Sequence, residues 1–430
     1  MANSKYEYVK SFEVEDEVMF PNLIVVRVDG RDFRRFSEIH EFVKPNDEVA
    51  LNLMNSCAVS VTEEFPDIVF SYGYSDEYSF ALKKTTRFYQ RRASKIQSLV
   101  VSFLTSVYVT KWKEFFHDKE LRYPPSFRAR VICCASIEVL QAYLSWRQND
   151  CHINNQHATC FHELVKHGKT EKEAQQYLKE SGKKEKHDLL FEQFGINYEK
   201  LPVMVRQGSC ILKTETEDIV KYNESGAPVK RLRRKTSTVH SKNIVGKSFW
   251  NLYPKLLKEL GGFVDDIRKI EPDYIRSFLW EAKLLPSTWI VIRIDGCHFH
   301  RFSTLHEFVK PNDERALNLM NSHIHNQYNT CFWELVKSGK SKIEAQNILK
   351  GTQTPEKNEL LKQFGISDYN TLPVMFRQGS SVFWDKEDIT PEHENGTCNG
   401  TYRKKVVVEH CNIIEPDFWN SHPSILNLKP

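Results

Sequence analysis

The sequence of 430 residues contains no apolar run approaching the length of a bilayer span, and its opening MANSKYEYVK has neither an h-region nor a cleavage site. Membrane insertion and secretion are therefore not expected. Its ten cysteines include no CxxC pair, and Cys133 and Cys134 are adjacent, which argues against a zinc site or disulfide framework and for reduced thiols. The Asn-Gly-Thr sequons at Asn395 and Asn399 then read as turns. A net charge of only +4 excludes a chain-wide polyelectrolyte for nucleic acid. What remains, 40% hydrophobic and 27% charged residues, is the make-up of a globular chain with room for two or three cores.

What is present is a repeat. RVDGRDFRRFSEIHEFVKPNDEVALNLMNS from Arg27 recurs as RIDGCHFHRFSTLHEFVKPNDERALNLMNS from Arg293, with 23 of 30 positions identical at an offset of 266. HINNQHATCF at His152 then pairs with HIHNQYNTCF at His323, an offset of 171, so the second copy lacks 95 residues equivalent to Cys57 to Cys151. NIVGKSFWNLYP at Asn243 pairs with NIIEPDFWNSHP at Asn412. Copy one is thus 1–260 and copy two 264–430, with Gly261-Gly262 as the joint.

Within copy one, NLIVVRV (22–28) reads as a strand buried on both faces. Pro45 to Phe65 has helical spacing, and Asp67 to Tyr72 and Tyr78 to Leu82 read as a hairpin. Phe88 to Phe116 reads as a long helix opening on the basic cluster Arg87, Arg91, Arg92 and Lys95. A strand at Arg130 to Ala135 and a helix at Val139 to His167 complete the order β-α-β-β-α-β. That order predicts an α+β fold of ferredoxin-like type, an antiparallel sheet with its helices on one face, followed by the truncated second copy.

In that arrangement the first strand lies beside the hairpin, so Asp29 at a strand end and Asp76 in the hairpin turn can converge. A hard cation such as Mg²⁺ takes oxygen ligands, using a couple of carboxylates together with substrate phosphates. Two ions clamping attacking and leaving oxygens would be the matching chemistry. Gly30 would let its carbonyl approach an ion or phosphate unobstructed. A lone Asp-Gly is a routine turn, and only its combination with Asp76 and the fold order makes it a site. Lys44 is a candidate phosphate contact, and Arg27, within the strand, needs an acidic partner. His152, His157 and His162 recur at steps of five, which does not align metal ligands on a helix, and copy two has Tyr328 and Trp333 at the last two places. Asn154 and Asn155 on the same helix could contact base, ribose or phosphate. The run Lys230, Arg231, Arg233, Arg234, Lys235 has the form of a nuclear-import signal, or of a solvated loop.

VVRVDGRDFRRF, HEFVKPND, YGYSDEYSF, RRASK, YLSWRQNDCHINN and the closing FW..HP pattern resemble the tRNA-His guanylyltransferase family, and the tandem arrangement resembles its plant form. The resemblance implies a polymerase/cyclase-type palm that adds a guanosine to the 5′ end of tRNA-His. ATP would activate the tRNA 5′-phosphate, and the 3′-hydroxyl of GTP would attack it. It implies two Mg²⁺ ions held by Asp29, Gly30 and Asp76, with Asp29, Asp76, Glu77 and Lys44 as catalytic residues. Nucleotide contacts would come from Asp29, Gly30, Arg31, Asp32, Phe33, Arg34, Ser75, Asp76, Arg92 and Lys95. Asp295, Gly296, Cys297, His298, Phe299 and His300 would be the matching loop of copy two. His152, Asn154 and Asn155 would touch tRNA. A homotetramer is implied, and a location in the nucleus (nucleoplasm), with the cytoplasm as an additional one, is expected.

The chain departs from the family at Gln156, His157 and Ala158, where the usual continuation is a hydrophobic residue and then Tyr-Asn; in copy two, His325 replaces the first Asn. Copy two also has no counterpart of Ser75, Asp76, Arg92 or Lys95. Two other readings therefore stand beside the enzyme: a weakened or inactive tRNA- or nucleotide-binding paralogue, and a nucleotidyl cyclase, which shares the paired aspartates but not the Trp146-Arg147-Gln148 and HINN patterns.

Overall fold

A computed structural model describes residues 16–222, 228–240, 243–261, 294–297, 299–308, 326–352, 354–366, 371–375, 379–388, 402–411, 413 and 416–426. Two compact units divide the chain, one of Glu13–Lys283 and one that carries Leu284–Pro430. No helix among the described residues is long and apolar enough to cross a membrane.

The first unit runs β1 (Leu23–Gly30), α1 (Phe33–Ile39), α2 (Glu48–Glu64), β2 (Ile68–Tyr74), β3 (Glu77–Leu82), α3 (Ala93–Phe115), β4 (Phe127–Cys134) and α4 (Ile137–Lys166). Helix α2 starts after Pro45 because Asp47 caps it, its Oδ1 accepting from the Ala50 N–H at 3.0 Å. α5 (Glu171–Glu180) and α6 (Lys183–Phe194) pack on the far half of α4 around Cys160, Leu164, Leu178 and Leu190. α7 (Val203–Gln207) leads into the hairpin β5 (Ser209–Tyr222) and β6 (Pro228–Val239), and α8 (Lys247–Leu252) and α9 (Pro254–Glu259) close the unit. The sheet is mixed with helices in an α+β arrangement, with order β4-β1-β3-β2-β5-β6 and every pairing antiparallel.

Helices cover both faces of the sheet, which corrects the expectation of one. Ile24, Val26 and Val28 of β1 join Phe80 and Leu82 of β3 against α2 and α3. The alternate residues Leu23 and Val25 join Phe70 and Tyr72 against α4, α8 and α9. A strand with no polar face cannot leave either side to water, because each fully buried apolar side chain contributes roughly 1.5–3 kcal/mol. The β5–β6 hairpin was not anticipated. It places the Lys230–Lys235 run on the edge strand β6 rather than on a loop or helix face, and charge is a normal device for an edge strand.

The long helix also starts later than expected. Phe88–Arg91 is a tight turn in which Tyr89, Gln90 and Arg91 take positive φ, and α3 begins at Ala93. Arg91 is buried there. Its guanidinium donates to the carbonyls of Val18 (2.9 Å), Thr86 (3.1 Å) and Asn22 (2.5 Å), tying the turn to the start of β1.

In the second unit, helices Asn326–Lys337, Lys342–Leu349 and Thr354–Gln363 close on Cys331, Leu335, Ala345, Leu349 and Leu361. Strands β7 (Ser381–Asp388) and β8 (Tyr402–Glu409) form a two-stranded sheet. Side-chain bonds recur at corresponding places in the two units. Cys160 Sγ donates to Lys186 O and Cys331 Sγ to Lys357 O; Ser209 bonds His240 and Ser380 bonds His410; Trp250 donates to Ile244 O and Trp419 to Ile413 O. The stretch matching β1, up to residue 293, lies outside the described residues.

Replacing Arg91 by Met should cost about 3 kcal/mol in a urea unfolding series, because three carbonyls, two of them in buried bonds, lose their donor. The same change at the exposed Arg87 should stay within about 0.5 kcal/mol.

Candidate active site

The site grows from one register. β1 pairs with β3 so that Asp29 faces Glu77, and the hairpin turn then places Asp76 beside Gly30, whose N–H donates to the Asp76 carbonyl at 3.1 Å. A Cβ on Gly30 would lie 2.7 Å from Asp76 Oδ2 and 2.4 Å from the Phe33 ring. Only glycine leaves the aspartate carboxylate its place. Phe33 in turn is held by stacking on Phe36 and by Tyr108 and Phe127, so the loop after β1 rests on the core. Two non-glycine residues flanking the site adopt left-handed backbone, Asp32 at φ 52 and Ser75 at φ 53, a cost that sites retain when it aims a neighbour. Ser75 Oγ donates to Asp76 Oδ1 at 3.1 Å.

Three carboxylates so placed repel one another, and arginines offset them. Arg27 Nη2 lies 2.5 Å from Glu77 Oε2, and its Nε lies 3.8 Å from Asp29 Oδ1. Arg147 of α4 grips Glu77 with two bonds of 2.6 and 2.8 Å, and reaches Asp150 and the Tyr74 hydroxyl as well. Burial raises the Glu77 pKa, with Arg147 and Arg27 working against the shift. Burial opposes the Arg147 charge too, yet Glu77 and Tyr74 more than offset it, and the net pKa is raised. Both oxygens of Glu77 are thus engaged by arginine, which makes it the brace of the site rather than an open ligand.

Asp29 is buried, and its Oδ2 accepts from Arg128 Nε at 2.5 Å, while its Oδ1 has no hydrogen-bond partner. Burial raises the pKa of Asp76, Ser75 lowers it, and Asp29 adds to the rise. An unpartnered carboxylate oxygen, a second carboxylate beside a bare backbone, and hard oxygen donors throughout fit a divalent cation such as Mg²⁺.

The remaining expected residues are distributed as follows. Arg31 and Asp32 are exposed and face each other at 3.7 Å, and Arg34 pairs with Glu38 at 3.0 Å. Lys44 donates to Ser37 Oγ at 2.7 Å and lies by His162, whose pKa is lowered by burial and then by Lys44. Asn155 is buried, donates to Asn46 and accepts from Tyr198; the His152 ring packs on Tyr198; Asn154 is exposed. His157 is exposed, and Ala158 is half-buried one turn beyond Asn155. Arg92 and Lys95 are not brought to the aspartates. Strand β3 runs away from Asp76, so the start of α3 lies beside Asn22, roughly 25 Å along β1 from Gly30. Asp295, Gly296 and Cys297 are exposed, Phe299 and His300 open a short helix, and His298 lies outside the described residues. Sequence reasoning had missed Arg128 and the role of Arg147; the Trp-Arg-Gln motif marked the second, and nothing marked the first.

Comparison with known proteins now adds a family. The tRNAHis guanylyltransferase model matches residues 6–135 and 272–336, and the Thg1 C terminal domain model matches 138–252 and 318–415. The chain belongs to the tRNA(His) guanylyltransferase family. Its relatives include two Arabidopsis thaliana proteins, tRNA(His) guanylyltransferase 1, 55% identical over 99% of this chain and 91% of its own, and tRNA(His) guanylyltransferase 2, 53% identical over 99% and 100%. The first alignment runs to 524 positions against 430 residues here, so that relative carries a substantial stretch with no counterpart in this chain. The crystal structure of the family member from Saccharomyces cerevisiae is 38% identical, covering 53% of this chain and 96% of that one, with a TM-score of 0.47.

A folded-state pKa above the unfolded one means that the Asp76 charge costs stability at pH values above that pKa, and that the cost vanishes as pH falls through it. Without metal at neutral pH, Asp76→Asn should therefore stabilise the protein. Thermal melting of both proteins checks this, and the gap should close on acidification.

Proposed function

We propose that this chain is a nucleotidyltransferase that adds a guanosine to the 5′ end of tRNA(His). A 5′-phosphate oxygen of the tRNA attacks the α-phosphate of ATP and releases pyrophosphate. The 3′-hydroxyl of GTP then attacks the activated tRNA phosphate and releases AMP, and pyrophosphate is removed from the added guanosine triphosphate. The observation that carries this reading is the convergence of Asp29, with its unpartnered Oδ1, on Gly30 and Asp76. Family membership supports it, as do relatives named for this activity.

Two Mg²⁺ ions held by Asp29, Asp76 and the Gly30 carbonyl would supply charge neutralisation at the transferring phosphoryl group. The chain's own part is placement. Ser75 aims the Asp76 carboxylate, Arg27 and Arg147 hold Glu77 as a fixed brace, and the loop Arg31–Arg34 stands ready at the mouth for the nucleotide. Phosphoryl transfer leaves little covalent work to a protein, so this fixed electrostatic frame is the catalyst.

The same reading makes the four strands β4-β1-β3-β2 a ferredoxin-like palm, supported by the βαββαβ element order. It divides the chain into a complete repeat, 1–260, and a truncated one, 264–430, with copy one alone catalytic. The homotetramer and the nuclear location belong to the proposal as well, the latter resting on the Lys230–Lys235 run of β6.

Full-length protein incubated with 5′-monophosphorylated tRNA(His), ATP and labelled GTP should place label at the tRNA 5′ end. Asp29→Ala and Asp76→Ala should each lower incorporation by about a thousandfold or more, while Asp295→Ala leaves it unchanged. Equal losses at Asp76 and Asp295 would refute a single active site. Cyclic nucleotide formed without tRNA would point to a cyclase, and intact tRNA binding with no label to a binding paralogue.

A further inference from the structure

Arg128 has no part in the mechanism above, yet it makes a short contact with one of the two aspartates of the site. It projects from β4, where the β1–β4 register sets it opposite Asp29, and its Nε lies 2.5 Å from Asp29 Oδ2. Its side chain is 58% exposed while that of Asp29 is 9% exposed, so the guanidinium reaches in from solvent to a carboxylate that is otherwise closed off. The carboxylates of Asp29, Asp76 and Asp32 all act on it and favour its charged form. A guanidinium thus stands in the same negative field that a divalent cation would use. Arg147 and Arg27 differ, since both are anchored on Glu77. Arg128 has Asp29 as its only ion-pair partner among the described residues.

We propose that Arg128 is a competing counter-ion of the metal site: it holds Oδ2 of Asp29 and offsets the charge of that carboxylate, competes with a divalent cation for it, and so lowers the affinity of this chain for the cation. The proposal rests on the reading of Asp29 and Asp76 as metal ligands. Physically, a cation arriving at the unbonded Oδ1 meets a guanidinium already bonded to Oδ2, which repels it and draws on the same negative charge, so the cation binds against a competitor that is part of the chain.

Mn²⁺ alone, titrated into full-length protein and followed by the electron paramagnetic resonance of the free ion, tests this without any turnover. Arg128→Gln should bind Mn²⁺ about tenfold more tightly than the unaltered chain. Arg130→Gln removes the same charge two residues along the same exposed strand face and should shift affinity far less. Thermal melting shows whether each variant is folded, and Arg128→Lys, which keeps the charge, should stay close to the unaltered chain. Equal or weaker binding by Arg128→Gln overturns the proposal while leaving the metal site standing, as does an equal gain in Arg130→Gln. Absence of Mn²⁺ binding in every protein overturns the proposal together with the metal-site reading.

Discussion

Everything at this site depends on crowding three carboxylates into one strand crossing and keeping them there. Asp29, Asp76 and Glu77 share the register of β1 and β3, and left alone they would protonate or push the hairpin away. Arg27 and Arg147 prevent this through Glu77, which therefore spends its own charge on architecture. Helix α4 matters for this reason: it carries Arg147 to the sheet from one face, while α2 and α3 secure the other face and Phe33 props the loop beneath Gly30. Core and site are consequently one object, in which the aromatic packing under Gly30 fixes where the Asp76 carboxylate can lie.

The same dependence explains why the second unit is not a smaller version of the first. Strand β1 pairs with β3 and β4, and β5 pairs with β2. All three partners fall in the residues that copy two lacks. The counterparts of β3 and β4, which in copy one take the backbone hydrogen bonds of β1, are missing from the sequence of copy two, and what corresponds to β5 and β6 forms the two-stranded β7–β8 sheet. Asp295 accordingly has no counterpart of Asp76 in its own repeat, and it is exposed where Asp29 is buried. The helices and hairpin of copy two persist because their contacts, such as Cys331 to Lys357 and Ser380 to His410, are local to them.

Much of this was legible from residues alone where the signal is local. Asp29-Gly30 at a strand end, Ser75-Asp76 in a hairpin turn, and the order of strands and helices follow from apolar runs and turn chemistry. Less legible was whatever direction and distance decide. Arg92 and Lys95 follow the hairpin closely in sequence, but β3 carries the chain away from Asp76, so nearness in sequence became separation in space. Arg128 lies 99 residues from its partner and depends on the β1–β4 register, which no local pattern encodes. The one-face arrangement failed although β1 itself was readable as buried on both sides, and the β5–β6 hairpin was obscured by its load of charge.

The missing stretch begins at Cys57, in the middle of α2, and ends at Cys151, in the middle of α4. In copy one, then, both borders of the stretch that has no counterpart in copy two are helical. What copy two lacks is thus a whole structural cassette, three strands and the helix α3 that covers them.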